Sequence, residues 1–199
     1  MTEKFRLFFA AVVVLFFADK LYSQPGTSLL RSGDLLFVAD TAGMGAAIAA
    51  ATGTFTHVAI VERAEDGLFV IEALPRLGVV RRSLNVFLND NQIDTVVARR
   101  PHFYFDAAEV VSRAKSFLGQ RYDNFFAPDN GMIYCSELVY ECFIGDDGQH
   151  LFTARPMNFL APDGTLPPYW QAHFQKLGCP VPQGELGTNP SDLFKEIER

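Results

Sequence analysis

Three residues of this chain have types and settings that could combine in chemistry: Cys135, His57 and Glu72. The stretch Tyr134-Cys135-Ser136-Glu137-Leu138-Val139-Tyr140-Glu141-Cys142-Phe143 reads as the first turns of a buried helix. Cys135, Leu138, Val139 and Cys142 fall at i, i+3, i+4 and i+7, which is one helical stripe. Asp129-Asn130-Gly131 reads as the loop feeding that helix. A thiol in the first turn sits at the positive end of the helix dipole, beside N–H groups that have no helical acceptor. Both favour thiolate, the nucleophilic form. Cys135 is therefore placed to attack a group held against the core. The bland alternative is a small buried apolar residue.

A nucleophile of this kind needs a base. Residues 55–62 read as a strand, 63–66 as a turn and 67–73 as the returning strand. If Glu62 pairs with Gly67, His57 lies directly opposite Glu72, with Ala59 facing Val70 and Val61 facing Leu68 on the same side. A slip of two residues would separate the pair along the strand yet leave both on one face. Two polar side chains on an otherwise apolar face must satisfy one another. They form either a structural couple, or a carboxylate that fixes the tautomer and orientation of an imidazole whose other nitrogen faces a nucleophile.

The elements that must position these residues follow in order. Residues 35–39 read as a buried first strand entered by the turn Ser32-Gly33-Asp34, with Asp34 as a turn cap. An alanine-dense helix over 46–52 is closed by Gly53. The glycines before it lack the lysine and spacing of a phosphate loop, so that function is excluded. Strands are predicted over 78–84 and 94–100, the latter stopped by Pro101. Their arginine pairs, Arg81-Arg82 and Arg99-Arg100, read as solvated strand ends, with contact to an anionic substrate group as the alternative. An amphipathic helix runs from an Asp106 N-cap to Gly119. The Pro- and aromatic-rich C-terminal part reads as an ordered wrap, ending in a short helix that opens with Asn189-Pro190.

The 199 residues suffice for one domain with a real core, and 49% hydrophobic against 20% charged residues marks a globular chain. A net charge of −6 without a basic cluster excludes nucleic acid as the main partner. The three cysteines give no disulfide framework, since an odd count leaves a free thiol. Cys135 and Cys142 stand roughly 10 Å apart along the helix, beyond disulfide reach. No Cys/His spacing suits zinc, and no pattern implies any other cofactor. Lys4 and Arg6 precede the apolar run 7–17, which reads as a secretory signal over residues 1–23, too short for a comfortable membrane span. The expectation is a single domain over 24–199 in an extracytoplasmic compartment, periplasmic or secreted. An uncleaved signal would be its only membrane attachment.

The order His, Glu, Cys, carried by Ser32-Gly33-Asp34-Leu35-Leu36-Phe37, Thr56-His57-Val58-Ala59-Ile60-Val61, Ile71-Glu72-Ala73, Gly119-Gln120-Arg121-Tyr122-Asp123 and Tyr134-Cys135-Ser136-Glu137-Leu138-Val139, resembles the circularly permuted papain-like cysteine hydrolases of the NlpC type, in particular their YiiX/YebB-like branch. The resemblance implies an α+β papain-like fold, with an antiparallel sheet packed against a helix that carries the nucleophilic cysteine at its N-terminus. It implies Cys135 as nucleophile, His57 as base and Glu72 as the orienting residue, with Tyr122, Asp34 and Ser136 near the site as substrate-binding candidates. The Cys135 N–H would be one oxyanion donor. The activity implied first is hydrolysis of a peptide-type amide, such as one in cell-wall material, through an acyl-enzyme. A lipid acyl hydrolase, acyltransferase or thioesterase of the same fold comes second. The substrate is then a small-molecule, peptide or lipid-like acyl compound. Two other classes stand beside these: a non-catalytic ligand-binding module, and a redox protein pairing Cys135 with Cys142 or Cys179.

Overall fold

The computed structural model describes residues 13–15, 27–40, 42–90 and 95–198. Its central sheet contains β1 (Val13–Leu15), β2 (Leu35–Ala39), β3 (His57–Ala64), β4 (Gly67–Leu74), β5 (Gly78–Ser83) and β6 (Thr95–Arg99), in the order β1-β6-β2-β3-β4-β5 with every pairing antiparallel. The helices are α1 (Gly43–Thr52), α2 (Leu84–Leu88), α3 (Ala107–Ser116), α4 (Cys135–Cys142), α5 (Pro168–Leu177) and α6 (Pro190–Ile197), and β7 (Arg155–Pro156) pairs with β8 (Leu186–Gly187). This is the expected α+β arrangement. Of the segment read as a signal, only Val13–Leu15 lies among the described residues, as an edge strand on β6.

Strand alternation divides the core between the two faces of the sheet. Leu35, Phe37, Val58, Ile60, Ile71 and Ala73 pack with Leu138, Val139 and Cys142 of α4. Leu36, Val38, Ala59, Val61 and Val70 pack instead with Leu84, Phe87 and Leu88 of α2. The predicted α4 stripe is the buried one: Cys135, Leu138, Val139 and Cys142 are all buried. No helix among the described residues is long and apolar enough to cross a membrane.

Besides β1, α2 and the β7–β8 pair, which are not foreseen from the sequence, two elements depart from expectation for identifiable reasons. The β3–β4 turn is only Glu65-Asp66, so Ala64 pairs with Gly67, and Ile60, not Val58, lies opposite Ile71. Arg63 stays in the strand because Leu30 O accepts from its guanidinium at 2.9 and 2.6 Å, and because its N–H donates to Ser32 Oγ at 3.0 Å. Two-residue turns also match the twist of paired strands better than four-residue ones. The C-terminal wrap, moreover, contains a full helix, α5. Pro168 occupies its first turn, Gly178 ends it in the left-handed region at φ 69°, and Trp170 and Phe174 are buried.

The start of β5 is clamped to the chain leading into the cysteine helix. Val79 N–H donates to Gln120 O and Gly119 N–H to Val79 O, each at 2.9 Å. Gly78 has φ +72°, and a Cβ there would lie 2.2 Å from Gln120 O. Gly78→Ala should therefore cost at least about 2 kcal/mol of unfolding free energy, from backbone strain and overlap with an immovable carbonyl. Denaturant unfolding with an unchanged slope would check it.

Candidate active site

Cys135 is the first residue of α4. The first helical hydrogen bond runs from Leu138 N–H to Tyr134 O at 2.9 Å, so the N–H groups of Cys135, Ser136 and Glu137 have no helical acceptor. Tyr134, with extended φ and ψ, caps the helix, and Glu137 Oε2 accepts from the Tyr134 N–H at 3.2 Å. Burial pushes the Glu137 carboxyl up to about 8, against that hydrogen bond, and the nearby Asp123, Glu141 and Asp129 charges push it the same way.

His57 is the first residue of β3 and lies opposite Val38. Its Nε2 meets Glu72 Oε2 at 2.6 Å. At the start of its strand His57 also hydrogen-bonds with Cys135, and alternation places it and Glu72 on the α2 side of the sheet. The register shift of two residues leaves this pairing intact, because parity is conserved.

Glu72 is fully buried, with His57 on one carboxylate oxygen and Arg82 Nε, from β5, on the other. Arg82 also pairs with Asp90 at 3.0 Å and lies over the Phe87 ring. Burial raises the Glu72 pKa, but hydrogen bonds and charge from His57 and Arg82 outweigh it and hold the carboxyl below its usual range. Burial likewise lowers that of His57, yet hydrogen bonding with Cys135 and Glu72, and their charges, lift it to about 10. Arg82 was not among the expected site residues. Its signal lay in the alternation of β5, where Val80 faces Glu72 and Arg82 faces Val70.

Tyr122 arrives at the site through a single parallel bridge to Ile133, which closes the loop between them. Asp123 shapes that loop by accepting from the N–H groups of Phe125 and Ala127 at 2.8 and 2.9 Å. Tyr122 is buried beside Cys135. Burial first, then the charges of Cys135 and Asp123, push its phenol well up, so it stays a neutral O–H that points at Met44 Sδ, 4.0 Å away. Ser136 is buried next to the cysteine and lines the same cavity as Tyr122 and Cys135.

Asp34 is not brought to this site. It sits at the far end of β2, where Leu35 faces Ile60, and its carboxylate accepts from Arg31 N–H at 2.8 Å and from Arg100 at 2.7 Å. The arginine pairs are neither free nor merely solvated: Arg81 pairs with Glu62 and Arg99 with Glu198. All three cysteines are free thiols, and burial at the far end of α4 pushes Cys142 well up.

Residues 29–197 match the family model described as permuted papain-like amidase enzyme, YaeF/YiiX, C92 family. No curated protein sequence matches the chain. Among solved structures, the chain is similar to the metalloprotein YiiX from Escherichia coli O157:H7, with 22% identity, a TM-score of 0.68, and coverage of 82% of this chain and 91% of that one. Such a likeness concerns the fold. Among the described residues of the present chain, no group of three or more His, Cys, Asp or Glu side chains gathers as metal ligands.

The raised pKa of His57 makes stability depend on pH. Its contribution to stability is present below 6.5, its ordinary value, and is lost as pH rises through about 10. Imidazole NMR should find His57 titrating near 10, and Glu72→Gln should bring that titration down towards 6.5. An unmoved titration in the variant would remove Glu72 as its partner.

Proposed function

The chain belongs to the permuted papain-like amidase family, and from that premise we propose that it hydrolyses an amide through a covalent acyl-enzyme on Cys135, with His57 as acid and base and Glu72 as its orienting carboxylate. Membership makes it a cysteine-type amide hydrolase at the coarse level. The finer reading is supported by one observation above the rest. A half-buried imidazole stands between the cysteine at a helix start and a fully buried carboxylate, with one ring nitrogen, Nε2, held by that carboxylate. Nδ1 is then the nitrogen left for the sulfur.

The proposed sequence is as follows. The Cys135 thiolate attacks the amide carbonyl carbon, and the oxygen takes up the charge beside the Cys135 N–H. The C–N bond breaks as His57 gives its proton to the leaving amine, and a thioester forms on the sulfur. Neutral His57 then takes a proton from water, which attacks the thioester. The acid is released, and thiolate and imidazolium return. A peptide-type amide is the first substrate class in this reading. An address outside the cytoplasm, proposed from Lys4, Arg6 and the apolar run behind them, would suit an envelope substrate.

Cys135→Ala should abolish hydrolysis while leaving the melting transition in place, since a small residue is tolerated in a first helical turn. With an activated ester, intact mass spectrometry should find one acyl group on the wild-type chain and none on the variant. Activity surviving in the variant would overturn the assignment. The alkaline limb of kcat/KM should fall near pH 10, where His57 loses its proton.

A further inference from the structure

Beside Cys135 lies a small cavity, partly open to solvent. Its walls come from α1, the loop closed by Tyr122, the start of α4, α5 and the stretch after β8. Ile48, Phe126, Met157, Phe159 and Trp170 make it predominantly apolar, and apart from the nucleophile Cys135 its lining contains no Asp, Glu, Lys, Arg or His.

Two of its lining residues hold buried hydroxyls with no hydrogen-bond partner among the described residues: Ser136 Oγ and Thr188 Oγ1. Ser136 is 1% exposed and Thr188 7%. The Thr188 N–H donates to Tyr134 Oη at 3.0 Å, and its side chain also lies near that oxygen, but its own hydroxyl makes no hydrogen bond of normal geometry there. A buried hydroxyl without a partner forfeits the hydrogen bonds that water gave it in the unfolded chain. Two of them in the walls of one apolar cavity, beside a nucleophile, point to a ligand that supplies the missing partner.

We propose that this cavity holds the acyl side of the substrate, and that it selects an uncharged, largely apolar acyl group bearing one hydrogen-bonding substituent, which Ser136 and Thr188 receive. The inference rests on the cysteine hydrolase reading and narrows it. A free carboxylate or ammonium in the acyl group would lose its hydration with no counter-charge in the lining. A carboxylate would in addition approach the thiolate through which the proposed mechanism runs. Peptide-type amides whose acyl side carries a charged side chain or terminus within the cavity are thereby excluded, whereas amides of neutral acyl groups fit.

The test uses the full chain and p-nitrophenyl esters of three kinds: plain hexanoyl, hexanoyl with a hydroxyl moved carbon by carbon along the chain, and the carboxylated adipoyl. Intact mass spectrometry reports whether Cys135 is acylated. The expected result is acylation by the neutral esters, with one hydroxylated isomer preferred over hexanoyl by roughly three- to tenfold in kcat/KM, the size of one hydrogen bond. The carboxylated ester should be slower by about a hundredfold or more. Ser136→Ala and Thr188→Val should each move the hydroxylated-to-plain ratio towards one. Neither hydroxyl has a partner to lose, so both variants should keep their melting transitions. Adipoyl turned over as fast as hexanoyl overturns the inference, as does a ratio that neither variant changes. In those cases Cys135 is still acylated and the hydrolase reading survives. Absence of any acyl group on Cys135 sinks that reading, and the inference with it.

Discussion

The buried carboxylate of Glu72 is the constraint on which the rest of the site depends. An isolated carboxylate in such a place would be neutralised by its surroundings. It stays ionised because two cationic partners reach it from either side, His57 from β3 and Arg82 from β5, while Glu72 itself sits on β4 between them. Three adjacent antiparallel strands thus each contribute one member of a charged row. The row fixes more than charge. It sets which nitrogen of His57 is occupied, and Arg82 is itself held by Asp90 and the Phe87 ring, so the α2 segment braces the chain from behind. A histidine at the exposed start of a strand would ordinarily choose among rotamers. Here one of its nitrogens is already committed.

A second brace fixes the cysteine. The chain from Gly119 to Tyr134 is sewn to β5 at one end and to the helix start at the other, with the Tyr122–Ile133 bridge closing the loop between them. Phe126, in the left-handed region at φ 52°, turns its ring into contact with Tyr122, Tyr134, Phe159 and Trp170. That conformation is costly for a residue with a Cβ, and the aromatic packing offsets it. The same β5 therefore holds Glu72 through the Arg82 side chain and the chain at Gly119 and Gln120, just before Tyr122, through its backbone. The two halves of the site, thiol and imidazole, are referred to one strand.

How much of this was legible in the sequence depended on the range of the interactions. Local periodicity showed the Cys135 stripe, the Asp106-capped α3 and the Asn189-capped α6, all written within a turn or two of helix. The pairing of His57 with Glu72 was legible although the assumed register was off by two, because parity, not register, decides the face. What stayed hidden was set at long range. Arg63 remains in its strand because of Leu30, more than thirty residues earlier. Arg82 was read as a strand end because nothing nearby in sequence shows Glu72 beside it. Asp34 looked like a site residue by its place in a motif, yet β2 carries it to the opposite end of the sheet from His57. Helix α5 was masked by the prolines around it, although Pro168 at its start and Gly178 at its end are the residues that such a helix prefers at those positions.

The same electrostatics bears on the order of steps in the proposed mechanism. His57 is lifted to about 10 by Cys135 as well as by Glu72. Acylation turns the sulfur into a neutral thioester and so removes the contribution that Cys135 makes. Glu72 remains, held by Arg82 and unable to leave. The imidazole therefore binds its proton most tightly before attack, when an imidazolium is required to pair with thiolate. It binds that proton less tightly once the thioester has formed, when a base is required to activate water. An acyl group that brought its own negative charge into the cavity would undo this by restoring an anion beside His57. A cavity whose lining, Cys135 apart, contains no charged side chain is the environment in which the proton affinity of the imidazole follows the state of the sulfur and little else.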